Sequence, residues 1–187
     1  SEKSGSAVVM NVNSGDVYAL VSYPAFDPNR FTHSLPQGLW TELLNDPALP
    51  LINKSIAGLY PPASTFKMIT CLAALERGAA NSRQSFYCPG HYEFGQDRFH
   101  CWKRAGHGYV DMREALAKSC DVYFYELATE LGIEAIADMA RRFGLGSELG
   151  LSLEEEKAGR VPDDDWKRGH FGGSWKPGET IVTSIGQ

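Results

Sequence analysis

The sequence predicts a fold that contains both β-strands and α-helices, because a strand-rich segment comes first and helical segments follow. Residues 7–12 and 17–22 are rich in β-forming side chains, and the turn-forming residues 13–16 separate them, so they are predicted to form a β-hairpin. Their apolar character on both faces predicts that at least one strand is buried in a sheet. With 187 residues, 43% of them hydrophobic, the chain is long enough for one domain with its own core.

Four helices are predicted after the hairpin. Apolar residues recur at helical spacing from Ser64, and Gly78 stands where that helix ends. Asp111 and Glu114 have the spacing of a capping box, which opens a short second helix. The four predicted ranges are 64–77, 111–118, 122–131 (capped by Asp121) and 133–143.

The other segments carry weaker signals. Residues 23–62 contain seven prolines, which restrict regular structure, and only one helical turn is predicted there, at 41–44. Residues 79–110 are rich in glycine and aromatic residues but show little periodicity. No long element is predicted from residue 144 to the end.

The charge pattern argues against a nucleic-acid-binding protein. The formal net charge is -5, the pI is about 5.5, and there is no run of Lys or Arg, whereas surfaces that bind phosphate are basic. No stretch approaches the ~20 apolar residues that a membrane-spanning helix needs. The acidic run at 154–156 is interpreted as solvated surface.

Ser64 and Lys67 are the first candidates for chemistry. A serine hydroxyl is a poor nucleophile unless a base lies nearby. Residues three apart on a helix share one face, so Lys67 can reach Ser64, and the helix N-terminus favours negative charge beside the serine. The alternative is an ordinary helix cap with a solvated lysine. The Ser-x-x-Lys pattern alone favours that alternative, because both residue types are common.

The second candidate is Ser119-Cys120-Asp121, which lies between two predicted helices. A hydroxyl and a carboxylate two residues apart at such a junction can both face a cleft. The alternative is again a helix cap, a role for which Asp121 is well suited. The two candidates together make a stronger case than either one alone.

The two candidates lie in segments that resemble one known family. Residues 60–67 (YPPASTFK) resemble the active-serine segment of class B penicillin-binding proteins, and residues 119–125 (SCDVYFY) resemble their second motif. The spacing of 55 residues between the two serines also fits. The resemblance is greatest to the elongation type, in which the second motif often ends in Asp, as at Asp121. It runs from about Ser6 to the end, and further matching segments are 15–22, 26–29, 44–47 and 185–187.

The resemblance implies an α+β fold of the penicillin-binding protein and serine β-lactamase type, in which helices flank a sheet and the active serine begins a helix. It implies that Ser64 attacks the carbonyl of a D-Ala-D-Ala stem peptide and forms an acyl-enzyme, with Lys67 as general base. Ser119 is expected to relay a proton to the leaving amine, and Asp121 to hydrogen-bond the substrate or Lys67. The backbone N–H of Ser64 is one expected oxyanion donor.

The same resemblance implies the biological setting. The full-length protein is expected to cross-link peptidoglycan in cell-wall elongation and shape maintenance, at the periplasmic face of the inner membrane, with a membrane-embedded glycosyltransferase as partner. β-Lactams are expected to acylate Ser64, and the chemistry needs no cofactor.

Residues 1–187 are expected to be part of a transpeptidase domain and, as such a part, a poor catalyst. The membrane anchor and the strand with the third family motif, Lys-Thr-Gly or Lys-Ser-Gly, are expected outside the chain. Residues 3–5 match that triplet in letters, but they precede the first strand and are rejected.

Two other functions stay open at this point. A serine β-lactamase needs a base for the deacylating water, and nothing in the sequence matches one. A penicillin-binding sensor or structural module without turnover is favoured by the lack of a third motif after Asp121. Turnover of a peptide substrate by the complete protein separates these functions from transpeptidation.

Cysteine and histidine residues surround the segment that lacks periodicity. Structural zinc prefers such ligands, four in number and tetrahedral. The predicted ligands of a structural zinc ion are Cys88, Cys101, His107 and Cys120, with His91, Asp97 and His100 as competitors. The alternative is a Cys88–Cys101 disulfide, which is natural in a periplasmic protein but leaves the other two residues unexplained. Cys71 is interpreted as core packing.

Overall fold

The computed structural model describes residues 3–32, 34, 36–151 and 153–187. The chain divides into two compact units, one from Ser1–Tyr60 and Glu148–Ala158, the other from Pro61–Ser147 and Gly159–Gln187. All residues predicted to carry chemistry belong to the second unit. Within the described part, no helix is long and apolar enough to cross a membrane.

The first unit contains the predicted hairpin. Strand β1 (Gly5–Met10) pairs antiparallel with strand β2 (Val17–Tyr23). Asn11 tightens the turn, because its side-chain oxygen accepts the backbone N–H of Asn13 at 2.9 Å. The prediction of a buried strand is wrong. Among the described residues each strand pairs only with the other, and a two-stranded ribbon has no third strand to bury either member, so both are largely exposed.

The helical turn predicted at 41–44 is part of a longer helix in the first unit. Helix α1 (Gln37–Asn45) spans nine residues. The segment between Pro36 and Pro47 contains no proline, so the backbone N–H donors needed for a regular helix are present. A short 3-10 turn at Pro28–Phe31 precedes it.

All four predicted helices are present in the second unit. The first begins as a 3-10 turn (Ala63–Phe66) and continues as helix α2 (Lys67–Arg77), and Gly78 ends it in the left-handed conformation. The predicted capping box is confirmed, since the Asp111 side chain accepts the backbone N–H of Glu114 at 2.8 Å. The next three helices are α3 (Met112–Ala117), α4 (Asp121–Leu131) and α5 (Ile133–Arg142).

Two short helices near the end are not predicted by the sequence. Helix α6 (Asp164–Phe171) has eight residues and helix α7 (Pro177–Thr183) has seven, which is too few for a clear helical period. Their ends do carry signals. Asp163 caps α6 by accepting the backbone N–H of Trp166 at 2.7 Å, and proline occupies the first position of α7.

The segment without periodicity folds into four strands of four residues each. Strands β3 (Ser85–Cys88) and β6 (Gly108–Asp111) form one antiparallel pair, and β4 (His91–Phe94) and β5 (Asp97–His100) form another. Strands this short show too little alternation to be recognised in a sequence. Gly90 permits a close approach of two backbones, because a Cβ there would lie 2.0 Å from the carbonyl oxygen of residue 104.

Helix α4 lies at the centre of the second unit. Its side chains are buried on several faces, with Tyr123, Phe124 and Leu127 fully enclosed. Helices α2 and α5 pack beside it through small and aliphatic residues such as Ala73 and Ile136. Each fully buried large side chain contributes about 1.5–3 kcal/mol. A helix so enclosed carries its N-terminal residues into the interior, which is where the candidate site lies.

Candidate active site and metal centre

Ser64 lies in the 3-10 turn that leads into α2, and the residue before it is strained. Ala63 has φ of 48°, which is unfavourable for a residue with a Cβ. Its backbone N–H donates to the carbonyl of Gly186 at 3.0 Å. A Cβ at Gly186 would lie 2.4 Å from the Ala63 oxygen, so only glycine fits there. The tail of the second unit therefore holds the turn that presents Ser64.

Lys67 begins α2, one turn after Ser64, and is only 1% exposed. Its ammonium group donates to Asp121 Oδ1 at 2.6 Å, to Ser119 Oγ at 3.0 Å and to the Ser119 carbonyl at 3.1 Å. An ammonium group has three N–H donors, so each one has an acceptor. The carboxylate offsets the cost of burying the charge.

Ser119 connects the lysine to the candidate nucleophile. It has φ of 51°, and its hydroxyl donates to Ser64 Oγ at 2.9 Å. The helical spacing of the two residues predicts that Lys67 lies within direct reach of Ser64. In the described part of the chain, however, no hydrogen bond joins these two side chains, because the lysine is drawn towards Ser119 and Asp121. The connection from Lys67 to Ser64 runs through the Ser119 hydroxyl.

Asp121 does not cap α4 as predicted, because it is the first residue of that helix and Cys120 occupies the cap position. Its carboxylate turns away from the helix end. One oxygen accepts from Lys67, and the other accepts the backbone N–H of Trp102 at 2.8 Å. A carboxylate in the first turn of a helix is also favoured by the helix dipole.

Trp102 is a site residue that the sequence gives no signal for. Besides its bond to Asp121, its indole N–H donates to the carbonyl of Lys118 at 3.1 Å. Nearby, Tyr125 donates its hydroxyl to the backbone carbonyl of His100 at 3.2 Å, and burial raises the pKa of Tyr125. These bonds hold the loop after β5 against the start of α4.

A cavity of about 470 Å³ opens over these residues. Ser64, Ser119 and Asp121 line one side of it. A proton that leaves Ser64 has a hydrogen-bonded path through Ser119 to Lys67, once the lysine has itself lost a proton. The arrangement fits an activated serine nucleophile. The other lining residues are His100, Cys101, Trp102, Arg104, Tyr125, Ile185 and Gln187.

The four predicted metal ligands converge behind this cavity. The three sulfur atoms and Nδ1 of the histidine lie within 4.8 Å of one another, and His107 Nδ1 is 3.6 Å from the sulfur atoms of both Cys88 and Cys101. All the cysteines are free thiols, so the alternative Cys88–Cys101 disulfide is not formed. The competing residues lie outside the cluster, whose members are Cys88, Cys101, His107 and Cys120.

The two sulfur–nitrogen separations of 3.6 Å fit a tetrahedral zinc ion. Zinc bonds of about 2.3 Å to sulfur and 2.0–2.1 Å to nitrogen, at tetrahedral angles, separate the sulfur and nitrogen atoms by about 3.6 Å. If Nδ1 of His107 binds, Nε2 carries the proton, and this buried nitrogen has no polar partner among the described residues. The imidazole instead meets the Trp102 ring edge-on, with the ring centres 5.5 Å apart.

The thiols differ in their protonation. Hydrogen bonding with Cys120 lowers the pKa of Cys101 to about 5, although burial opposes the shift, and the same bond raises the pKa of Cys120. Burial alone raises the pKa of Cys71 to about 12. Cys71 lies in the apolar core beside α4, so it remains a protonated thiol that packs.

Known proteins match the part of the chain that contains these site residues. The family described as penicillin binding protein transpeptidase domain matches residues 5–186. The peptidoglycan D,D-transpeptidase MrdA of Escherichia coli K12 is 36% identical over 184 residues, covering 97% of this chain and 29% of the relative. MrdA of Acinetobacter baumannii is 36% identical over 185 residues, covering 98% and 28%. The chain thus spans less than a third of the length of these relatives.

Solved structures give the same result for the fold. Penicillin-binding protein 2 of Pseudomonas aeruginosa, in complex with WCK 5153, has a TM-score of 0.92 at 37% identity and covers 98% of this chain and 40% of its own. The Helicobacter pylori complex of penicillin-binding protein 2 and MreC has a TM-score of 0.93 at 36% identity, covering 98% and 34%. The α+β fold expected from the resemblance is confirmed.

Proposed function

Because the chain belongs to the family of penicillin-binding protein transpeptidase domains, we propose that it is part of a peptidoglycan D,D-transpeptidase of the elongation type. The observation that carries the proposal is the chain of contacts from Ser64 through Ser119 to the buried pair of Lys67 and Asp121. In this proposal residues 1–187 are one part of a transpeptidase domain, and the anchor and the third motif belong to the rest of the protein.

The proposed reaction begins with Ser64 Oγ attacking the carbonyl of the penultimate D-Ala in a stem peptide. Its proton passes through Ser119 to a neutral Lys67, and the backbone N–H of Ser64 donates to the oxyanion. The bond to the terminal D-Ala then breaks, and that amine leaves with a proton returned through Ser119. An amine of a second stem peptide attacks the acyl-serine, which forms the cross-link and frees Ser64. A β-lactam acylates the same oxygen.

The proposed setting is cell-wall elongation at the periplasmic face of the inner membrane. Support comes from similar structures. One describes penicillin-binding protein 2 with MreC, and another describes the coordination of polymerization and crosslinking by a peptidoglycan synthase complex, with a TM-score of 0.86 at 36% identity. We therefore propose a membrane-embedded glycosyltransferase as the partner of the full-length protein.

Labelling of the complete protein with a fluorescent penicillin tests the nucleophile. Ser64→Ala is expected to abolish labelling, because the alanine side chain has no oxygen atom to attack the β-lactam. Ser147→Ala is the matched control, since Ser147 is an exposed serine in a turn of the same unit and should label like the wild type. Normal labelling of Ser64→Ala contradicts the assignment, and turnover of a D-Ala-D-Ala peptide separates a transpeptidase from a sensor.

We also propose that the cluster binds one structural zinc ion, through Sγ of the cysteines and Nδ1 of the histidine. The support is the match between the observed distances of 3.6 Å and the tetrahedral geometry of zinc. Four protein ligands leave no open position, so the ion would take no part in the reaction and would stabilise the fold. The ligands are Cys88, Cys101, His107 and Cys120.

The zinc ion would also stabilise the active site indirectly, through the residue that follows one of its ligands. Cys101 would be a ligand, and the next residue, Trp102, donates its backbone N–H to Asp121. Elemental analysis of protein purified without a metal-affinity column tests the site, and about one zinc per chain is expected. A folded, penicillin-reactive protein without zinc, or one with a Cys88–Cys101 disulfide in mass spectra, contradicts it.

A further inference from the structure

The proposed catalytic cavity has a second wall that acyl transfer to Ser64 does not use. It is formed by the end of β5 and the loop that follows, and His100, Trp102 and Arg104 line it. Arg104 is exposed to solvent. Among the residues that the structure describes, its guanidinium group has no salt bridge and no side-chain hydrogen bond. The neighbouring Arg98, by contrast, is paired with Glu93.

The described residues that line the cavity include one guanidinium group, that of Arg104. Asp121 is the one carboxylate among the described residues that line the cavity, and its charge is matched by Lys67 at 2.6 Å. The Arg104 guanidinium therefore has no carboxylate partner among the described residues that line the cavity, although the chain as a whole has a net charge of -5. A guanidinium group that has no carboxylate partner, in a cavity that also contains the nucleophile, favours an anionic group on the bound molecule.

The backbone that carries Arg104 is held on several sides. The Cys101 N–H donates to the Gly90 carbonyl at 2.9 Å, and the Gly106 N–H donates to the Lys103 carbonyl at 2.9 Å. The tight approach of Gly90 to the Arg104 carbonyl fixes the same stretch. The loop thus presents the arginine from a defined position, which reduces the entropy lost when a ligand binds.

We infer that Arg104 is a specificity residue that binds a free carboxylate of the substrate while Ser64 reacts with its carbonyl. A guanidinium group matches a carboxylate through two parallel hydrogen bonds. The inference rests on the proposed function. It adds that the transpeptidase prefers acyl donors with a carboxylate near the scissile bond, distinct from the terminal carboxylate that leaves with D-Ala.

Two penicillins test the preference in the complete protein. One carries a carboxylate on its side chain, as in α-carboxybenzylpenicillin, and the other, benzylpenicillin, lacks it. The second-order acylation rate of α-carboxybenzylpenicillin is divided by that of benzylpenicillin. In this ratio the contribution of the ring carboxylate, which both compounds carry, cancels. Arg104→Gln is expected to lower this ratio by about tenfold, the size expected for a charge-assisted hydrogen bond. Arg104→Lys should keep part of the preference, and added salt should reduce it in the wild type.

Lys103→Gln is the matched control. It also removes one positive charge, from the residue next to Arg104, but the Lys103 side chain does not line the cavity. Its ratio should equal that of the wild type. An unchanged ratio in Arg104→Gln, with benzylpenicillin still reacting normally, overturns the inference and leaves the proposed function standing. Failure of both penicillins to acylate the wild type overturns the proposed function, and the inference with it.

Discussion

The turn at residues 119–121 has two sides, which differ in the groups that they contact. On the cavity side, Ser119 and Asp121 supply acceptors for every N–H of the buried Lys67. On the other side, Cys120 belongs to a cluster whose sulfur and nitrogen atoms lie within 4.8 Å of one another. In that cluster, Nε2 of His107 has no hydrogen-bond partner among the described residues. The first side is complete with protein groups alone, whereas the second has the donor set of a metal site. A single strained turn therefore couples the proposed chemistry to the proposed metal.

Lys67→Arg is expected to have the largest effect, and it acts on the cavity side alone. Arginine keeps the positive charge but does not give up a proton, so the base in the path through Ser119 is lost. Acylation by a fluorescent penicillin should fall by about 10²–10⁴-fold, the usual contribution of general acid–base catalysis. Zinc content should stay at that of the wild type.

The thermal midpoint and the zinc content are the folding controls for this variant, because Lys67 is almost fully buried. A variant that keeps its zinc and its cooperative unfolding, yet acylates at nearly the normal rate, shows that Lys67 is not the base. Loss of zinc from this variant would show instead that the two sides of the turn are not separable.

Cys101→Ser acts on the other side, and Cys71→Ser is its matched control. Both thiols are buried, but only Cys101 belongs to the cluster. Loss of one ligand should release zinc and cost several kcal/mol, a fraction of the roughly 10–16 kcal/mol of apparent binding energy of a structural site. Cys71→Ser should cost about 1 kcal/mol and keep the metal.

Acylation should fall together with stability in Cys101→Ser, because the Trp102 N–H that holds Asp121 follows the lost ligand directly. Unfolding in denaturant, zinc content and penicillin acylation are measured on the same preparations. Equal stability losses in the two cysteine variants, or normal acylation of zinc-free protein, would contradict the coupling.

Gly186→Ala is expected to have a smaller effect that again falls on the cavity side. The new Cβ would lie 2.4 Å from the Ala63 carbonyl oxygen, in a backbone conformation with φ of 76°. The strained turn before Ser64 should shift, and acylation should fall by about tenfold or more, as expected for a misplacement of the reacting group. Zinc content should not change.

Gly172→Ala is the control that separates the steric contact of the new Cβ from the cost of a left-handed backbone conformation. Gly172 also has a left-handed backbone, with φ of 68°, but a Cβ there meets nothing within 4 Å. It should cost only about 1 kcal/mol in stability and leave acylation unchanged. If the two variants acylate equally well, the contact between Gly186 and Ala63 does not position Ser64.

The parts of the molecule that the sequence predicts are those with local signals. The hairpin, the capping box at Asp111 and the helix stop at Gly78 each depend on residues close together in the chain. The convergence of Ser64, Lys67, Ser119 and Asp121 followed from a family resemblance. The four cluster residues followed from the preference of zinc for their side chains, and the structure brings all of them together.

The parts that escaped prediction depend on contacts between distant segments. Nothing next to Trp102 indicates that its N–H meets Asp121, or that Gly186 touches Ala63. The prediction that a hairpin strand is buried was wrong. An apolar pattern shows only that a strand could be buried, whereas its burial depends on which other segments pack against it. The same reason explains why Asp121 bonds to Lys67 and Trp102 instead of capping its helix.

Asp163 lies away from both sides of the turn, and its variants should have the smallest effect. Its carboxylate caps α6 through the Trp166 N–H at 2.7 Å and forms a salt bridge with Arg141. Burial would raise the pKa of Asp163, but these two bonds outweigh it and lower the pKa. The folded state therefore binds this proton less tightly than the unfolded state does. The resulting stability is present above the usual Asp value of about 3.9 and is lost as the pH falls through the lower, folded value.

Asp163→Asn should keep the cap and lose only the ion pair, at a cost of about 0.5 kcal/mol at pH 7, whereas Asp163→Ala should lose both, at about 1–2 kcal/mol. The difference between wild type and Asp163→Asn should start to shrink as the pH falls below about 4, because the unfolded wild type then binds the proton first, and it should vanish once the pH is below the lower, folded pKa of Asp163. Thermal unfolding from pH 7 to 3 measures this trend. Acylation and zinc content at pH 7 should match the wild type in both variants. A cost of Asp163→Asn that stays the same from pH 7 to pH 3 would mean that the side chain stabilises α6 by shape and not by charge.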